Sequence, residues 1–525
     1  RGLDRGPIRD SPSLDRHASS GVQMMLADSD ALITGGIVVD PATGQAMRCD
    51  LLIRSGKIAE IAAPGAIVAA GVVVHDAADR LIVPGFINTH THGHANLMKG
   101  VADRWTLEAS LTNAPWLGGG RDPDTMYLST LLGAADMLSK GCTACFDLVY
   151  EFPRPTPAGF AAVARAYADA GMRAVLAPMI ADKTLFQAIP GLLDALPADL
   201  RETLGRLGLG AGDETIAAVE DIVASRANLP DGINVAIAPT IPHHCSERFL
   251  LQCVDIANRH DLRIHMHVAE SRLQVLAARK LYDLSPVGYL HRLGVLRPTF
   301  VAAHAIWLDD DDLDLFAKTG AAIAHVPASN LRLGSGVAQV RAMLDRGITV
   351  GLATDGANSS DAQNMLLAMR LASYLSRIFA VPRDRWLSAA ETVRLATVGG
   401  ADLLGLERGG RIERGALADL VFLDLSHVDF VPLSDPLNQI VTCADSACVR
   451  EVMVSGRFVM QHGRIPSIEM SEVRERVRAA VERLQINVAN AKALAARLEP
   501  HVVAFAESLF GEPLGIERLI SPSCG

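Results

Sequence analysis

The chain has 525 residues, 49% hydrophobic and 21% charged, with 44 Gly and 26 Pro. That is more than one hydrophobic core accommodates, so a large globular domain with a smaller companion is expected. The formal net charge of −10 and the lack of Lys/Arg runs argue against a nucleic-acid partner and favour a small neutral or cationic ligand. The eight cysteines are scattered through a chain too large to need stapling, so reduced thiols in a cytoplasm are expected. The most apolar window, Ile58 to Val74, is interrupted by Pro64, Gly65 and Gly71 and does not read as a membrane span.

In chain order, residues 1–25 are polar and read as a tail or expression remnant without chemistry. From Ala31 to Val83, short β-type runs (Leu32 to Thr34, Gly36 to Val39, Asp50 to Ile53, Val72 to Val74) alternate with Gly, Pro, Asp and Ser turns. Such runs return at Ala418 to Leu423 and Val452 to Met460, so residues 26–84 and 411–465 are expected to build one composite β-sandwich domain. Between them, residues 85–410 alternate strand-like and helical patterns. The predicted strands are Gly141 to Leu148, Ala174 to Met179, Asn234 to Ala238, Arg263 to Val268, Phe300 to Ala303, Ala321 to His325 and Thr349 to Thr354. Repeated βα units of this kind predict an α/β fold, a (β/α)8 TIM-like barrel with its active site at the C-terminal strand ends. The CxxC pair Cys142 and Cys145 falls inside one of these apolar runs and reads as buried thiols, not a zinc knuckle. The acidic run Asp309 to Asp312 reads as a helix N-terminus. Residues 466–525 form a predicted C-terminal helical extension. There Val473, Val477, Val481, Leu484 and Val488 sit at helical spacing in one amphipathic helix from Ser471 to Leu498, packed on the barrel or on a second subunit.

The chemistry begins at Val83-Pro84-Gly85-Phe86-Ile87-Asn88-Thr89-His90-Thr91-His92, an apolar strand ending in two alternating histidines. Residues two apart in a strand face one side, so both imidazoles can address one ion; two core-satisfied histidines would read the same way. In Ile264-His265-Met266-His267-Val268-Ala269-Glu270 another β-type run breaks into a histidine and, three positions on, a carboxylate. That pair suits a metal ligand and a proton carrier. His304 follows Val301-Ala302-Ala303, and Asp355 follows Val350 to Thr354. Polar residues closing four apolar runs match the catalytic rim of a barrel.

On these residues, and on the run His325-Val326-Pro327-Ala328-Ser329-Asn330-Leu331-Arg332-Leu333-Gly334-Ser335-Gly336, the chain resembles the amidohydrolase superfamily over Ala31 to Gly463. The resembling branch contains S-adenosylhomocysteine/methylthioadenosine deaminases, guanine and cytosine deaminases and triazine hydrolases. The resemblance implies that His90, His92, His267 and Asp355 ligate one divalent metal ion, whose bound water is the nucleophile. It further implies that Asp355 takes the water's proton, Glu270 delivers protons to the substrate, and His304 orients the water and polarises the reacting centre. Zinc is the expected metal, with iron, cobalt or manganese accepted by the same donors. Lys183 is the only lysine placed to bridge a second metal, and a surface or substrate-facing role fits it better.

Two departures bear on substrate. Where adenosine-type deaminases of this branch carry a histidine, after Ile237-Ala238-Pro239, this chain has Thr240, with His243 and His244 displaced. The acidic residue those enzymes use for ribose hydroxyls is not apparent between Trp105 and Asp122, where Trp116-Leu117-Gly118-Gly119-Gly120-Arg121 stands instead. Val326 stands where the family often has Cys or Asn. Substrate contacts are expected among His94, Asn96, Trp105, Trp116, Asp182, Thr240, His243, His244 and Asn358, each of which could equally be a loop-packing residue. The expected reaction is hydrolytic deamination of an amino-substituted nitrogen heterocycle. The alternatives are hydrolysis of an amide, urea, carbamate or chloro-triazine at the same site, and a non-catalytic binding protein. A small-molecule substrate, no nucleic acid, no membrane, and a homo-oligomer (dimer or tetramer) complete the expectations.

Overall fold

A computed structural model describes residues 30–206, 212–360, 362–379 and 381–519; the expected N-terminal tail lies outside them. Eight strands form one mixed sheet outside the barrel: β1 (Ala31–Asp40), β2 (Gln45–Arg54), β3 (Lys57–Ala62), β4 (Val73–Asp76), β5 (Arg80–Pro84), β15 (Leu420–Asp424), β16 (Val449–Val454) and β17 (Arg457–Met460). The join between the chain ends is β5 against β15, antiparallel from Leu420 opposite Pro84 to Asp424 opposite Arg80. Arg80 reinforces it with an ion pair to Glu451 at 2.9 Å. The runs Leu32 to Thr34 and Gly36 to Val39 are one strand, β1, whose pairing with β2 shifts register between Ile33 and Gly36. A bulge of this kind bends the strand without ending it.

The barrel strands are β6 (Phe86–Thr91), β7 (Cys142–Val149), β8 (Arg173–Ile180), β9 (Ile233–Val235) with β10 (Ala238–Pro239), β11 (Ile264–Val268), β12 (Phe300–His304), β13 (Ala322–His325) and β14 (Val350–Leu352). Two parallel sheets, β6 to β10 and β11 to β14, close on each other at both seams. At one seam Ile237 bridges Ile264. At the other Thr89 donates its hydroxyl to the Leu352 carbonyl at 2.9 Å and the Asp355 amide donates to the His90 carbonyl at 2.9 Å. The result is a TIM-like barrel. Every residue of β6, β7, β11, β12, β13 and β14 is buried, as expected for strands lined by side chains within and helices without. Cys142 and Cys145 are free, buried thiols. Asp309 caps the helix Asp310–Thr319 in a reciprocal capping box with Asp312, so the acidic run serves the helix terminus.

The C-terminal extension departs from the expected single helix. It is two helices, Met470–Asn487 and Ala489–Ser508, broken at Val488 (φ −102°, ψ 3°). The break rests on Gly120, whose φ of +66° and missing Cβ leave room for Asn487; a Cβ there would stand 3.0 Å from the Asn487 Cβ. The Asn487 amide donates to the Gly120 carbonyl at 3.2 Å. Beyond it the second helix packs against the helix Leu107–Gly118. Among the described residues no helix is long and apolar enough to cross a membrane.

Candidate metal and active site

Strand β6 delivers His90, and His92 follows one residue beyond its end with the backbone still extended (φ −134°, ψ 95°). Alternation therefore brings both rings to one side. Asp355 lies three residues past β14, and its Oδ1 is 3.3 Å from His92 Nε2 and 3.6 Å from His90 Nε2. His267, on β11, places its Nε2 3.4 Å from that of His92. Donors about 2.1 Å from a shared tetrahedral cation stand about 3.4 Å apart, so these separations fit one ion. The residues fall into two overlapping groups, His90 with His92 and His267, and His90 with His304 and Asp355.

Hydrogen bonds behind the cluster set the ring tautomers. His92 Nδ1 donates to the Leu148 carbonyl at 3.0 Å, His267 Nδ1 to the Thr240 carbonyl at 2.9 Å, and His304 Nδ1 to Asn330 Oδ1 at 2.9 Å. Each leaves its Nε2 lone pair facing the centre, the arrangement metal-binding histidines require. Both His90 nitrogens are buried without a hydrogen-bond partner, a costly condition that a cation on the Nε2 lone pair would relieve for that nitrogen. Burial pushes His90 down to about 3 and holds His267 well below the usual imidazole range, the direction that favours the neutral rings a cation needs. Burial alone would raise Asp355, but the imidazoles of His90 and His92 outweigh it and hold the carboxyl well below its usual range. Its oxygens accept from the Ser329 hydroxyl at 2.6 Å and the Gly356 amide at 2.7 Å.

Glu270 is buried beside this cluster, its Oε2 3.7 Å from His304 Nε2. Burial, then the neighbouring Asp355 and Glu108 charges, raise its carboxyl well above the usual range, the opposite direction to Asp355. Two carboxyls pushed apart in this way are the mark of an acid and a base in one site. The backbone is bent to aim them: Ala269 (φ +51°), His304 (φ +68°) and Asp355 (φ +70°) all occupy the left-handed region. For non-glycine residues this costs of order 1–3 kcal/mol each and clusters at functional sites.

Gly93, directly after His92, donates its amide to Asp147 Oδ1 at 2.9 Å, and Asp147 also accepts from the Tyr167 hydroxyl at 2.8 Å. A Cβ on Gly93 would stand 2.4 Å from Asp147 Oδ2. Gly93→Ala is therefore expected to displace the turn carrying His92 and lower metal affinity about 10–100-fold, measured by competition with a chromophoric chelator.

Above the cluster lies a cavity of about 700 Å³, which His94, Thr240, His244 and Asn358 line together with His92, His267, Glu270, His304 and Asp355. Lys183 also faces this cavity. The other expected contacts lie outside its lining. Trp116 is buried against Leu484 and Val488 of the C-terminal extension, with Trp105 packed on the same cluster, because that extension covers them. Asn96 turns back to donate to the Gly93 carbonyl. Asp182 accepts from the amide and hydroxyl of Ser246, at the start of the helix Glu247–His260. His243 is buried edge-on to His244. Sequence reasoning missed the aromatic lining residues Tyr150, Phe152 and Phe186 and the helix contributing Ala491, Leu494 and Leu498; only the i, i+3, i+7 spacing of the last three marked a buried face.

The amidohydrolase family profile matches residues 81–459. The chain belongs to the amidohydrolase family. The 5'-deoxyadenosine deaminase of Methanothermobacter thermautotrophicus is 32% identical over 457 residues, 86% of this chain and 98% of that protein. A zinc-bound adenosine deaminase from Xanthomonas campestris superposes with a TM-score of 0.77 at 26% identity, covering 87% of this amidohydrolase and 99% of that chain. Atrazine chlorohydrolase from Arthrobacter aurescens TC1, complexed with zinc, superposes with a TM-score of 0.76 at 26% identity, covering 86% and 100% respectively. This amidohydrolase is a metal-dependent hydrolase of carbon–nitrogen bonds other than peptide bonds, and its histidine cluster suits a divalent ion.

Proposed function

We propose that this amidohydrolase deaminates an amino-substituted nitrogen heterocycle, with zinc held by His90, His92, His267 and Asp355. The observation that carries the reading is the placing of two carboxyls at the floor of one cavity, Asp355 3.3 Å from His92 and 3.6 Å from His90, and Glu270 3.7 Å from His304. When bound, the cation lowers the pKa of water to about 7 and so supplies a nucleophile at neutral pH. The chain's own groups do the rest. Asp355 is a carboxylate able to accept the water's proton. His304 Nε2, freed by the Asn330 contact, accepts a hydrogen bond and orients that water. The Glu270 carboxyl gives its proton to a ring nitrogen as water adds; the proton held by Asp355 then passes to the amino group, which departs as ammonia, and the added hydroxyl returns its proton to the Glu270 carboxylate.

The deaminase names among the relatives point to adenosine analogues, but the wall formed by the helix Leu107–Gly118 offers no carboxylate to sugar hydroxyls. Glu108 accepts from the Ser271 hydroxyl at 2.8 Å and does not line the cavity, whereas Leu107, Leu111 and Pro115 do. Ser110 and Thr112 of this helix also line the cavity, and the lining carboxylate Glu151 is already engaged by the Thr156 amide and hydroxyl; with no free carboxylate at this wall, a heterocycle without a ribose suits the site better than a nucleoside. The test is a panel of aminopurines, aminopyrimidines, amino-triazines, chloro-triazines and N-aryl ureas offered to zinc-loaded protein. Ammonia release from an amino-heterocycle is the expected result. Chloride release from chloro-triazines alone, or amine release from ureas alone, would replace the reading.

A further inference from the structure

The family match ends at residue 459, yet the cavity has a wall beyond it. In the helix Ala489–Ser508, Ala491, Leu494 and Leu498 recur at helical spacing and line the cavity, joined there by Leu111, Pro115 and Phe186. This wall is anchored on two sides. Asn113 donates to Glu499 at 2.8 Å while its carbonyl oxygen accepts from the Trp116 indole at 2.7 Å. Arg497 pairs with Asp199 at 2.6 Å, and Val502 packs in one apolar cluster with Leu185 and Leu273. A wall tied in this way to both the helix Leu107–Gly118 and the segment after β8 is a preformed surface. A cavity of about 700 Å³ also lies within the range that holds drug-sized molecules, more than a bare heteroaromatic ring needs.

We infer that the Ala489–Ser508 helix forms one side of an apolar subsite that receives an alkyl or aryl substituent of the substrate. The inference rests on the deaminase reading for the identity of the substrate's reacting end, but the subsite itself is defined by Ala491, Leu494 and Leu498. An extended apolar arm buried there adds affinity in proportion to its length, about fourfold per methylene. A ribosyl group set against the apolar side chains of Ala491, Leu494 and Leu498 meets no polar group there, Ser110 and Asn490 being the neighbouring polar lining residues, and binds more weakly than an alkyl arm.

Calorimetric binding to the full-length, zinc-loaded protein tests this with 6-aminopurines bearing methyl, propyl or hexyl at N9, and with the 9-riboside. Affinity is expected to climb by about fourfold per methylene from methyl to propyl, with the riboside weaker than the propyl compound. Leu494→Asp should flatten that slope relative to its own methyl compound while retaining wild-type zinc content. Ala491→Phe, a substitution toward an open cavity, should reject the hexyl compound first. Ammonia release is followed in parallel. A steep slope that Leu494→Asp removes, without any ammonia, defeats the deaminase reading and leaves the subsite standing. A flat slope in the wild type, no binding, or an equal slope in Leu494→Asp overturns the subsite whatever the turnover.

Discussion

Glu270→Gln is expected to lower kcat by about 10²–10⁴-fold, the usual contribution of a positioned general acid or base, with zinc content unchanged. Gln keeps the size of the side chain and can still meet His304, which lies 3.7 Å from the native carboxyl. It cannot exchange a proton. Glu270 belongs to neither of the compact donor groups formed by the three histidines and by His90, His304 and Asp355, so the substitution removes a proton carrier and not a ligand. Its supports also stay in place: the Glu270 amide donates to Gln274 at 2.9 Å and the next residue, Ser271, reaches Glu108. The measurements are steady-state turnover on whichever amino-heterocycle releases ammonia, and metal content by mass spectrometry. Wild-type turnover in the variant would remove Glu270 from the chemistry. Loss of metal would instead make it a ligand.

His267→Ala is expected to lose both zinc and turnover, the latter to background. His267 Nε2 stands 3.4 Å from His92 Nε2, and its Nδ1 contact to the Thr240 carbonyl fixes the ring for ligation. Without it the donor set drops from four to three, and the Thr240 carbonyl loses the ring donor it accepts from. Chelation of the wild type should reproduce the loss and lower unfolding stability. An ion present at a thousandfold excess over its Kd contributes about 4 kcal/mol, which its removal abolishes. His94→Ala is the control, since its ring lies 5.4 Å from that of His92 and belongs to neither donor group; it should retain its metal. A zinc-replete His267→Ala protein would place the ion elsewhere in the cluster.

The residues that the structure gathers into one cluster were legible in the sequence partly through a local signal and partly through the family resemblance, which joined the separate strand ends into one set. His90 and His92 are two residues apart at the end of an apolar strand, and period-two alternation puts them on one face whatever the rest of the chain does. His267, His304 and Asp355 likewise close strands whose burial follows from their apolar runs, and a barrel collects such ends at one rim. The pocket walls were less legible. Trp105 and Trp116 look like mouth aromatics by position, but the C-terminal helices cover them. Asp182 looks like a pocket acid and instead accepts from Ser246.

Sequence alone thus determined the parallel barrel, through its repeated strand and helix patterns, and the histidines and carboxyls at its strand ends, through strand period and family resemblance. Tertiary structure decided that the Glu270 and Asp355 carboxyls are shifted in opposite directions, because that follows from burial and from charges brought together across the barrel. It also decided the shape of the cavity. The break at Val488 answers to Gly120, and the Asn113–Glu499 bond joins residues 386 positions apart. Helical periodicity marks Leu494 as belonging to a buried face, but the surface it meets is set by the packing of distant elements, which no local pattern encodes.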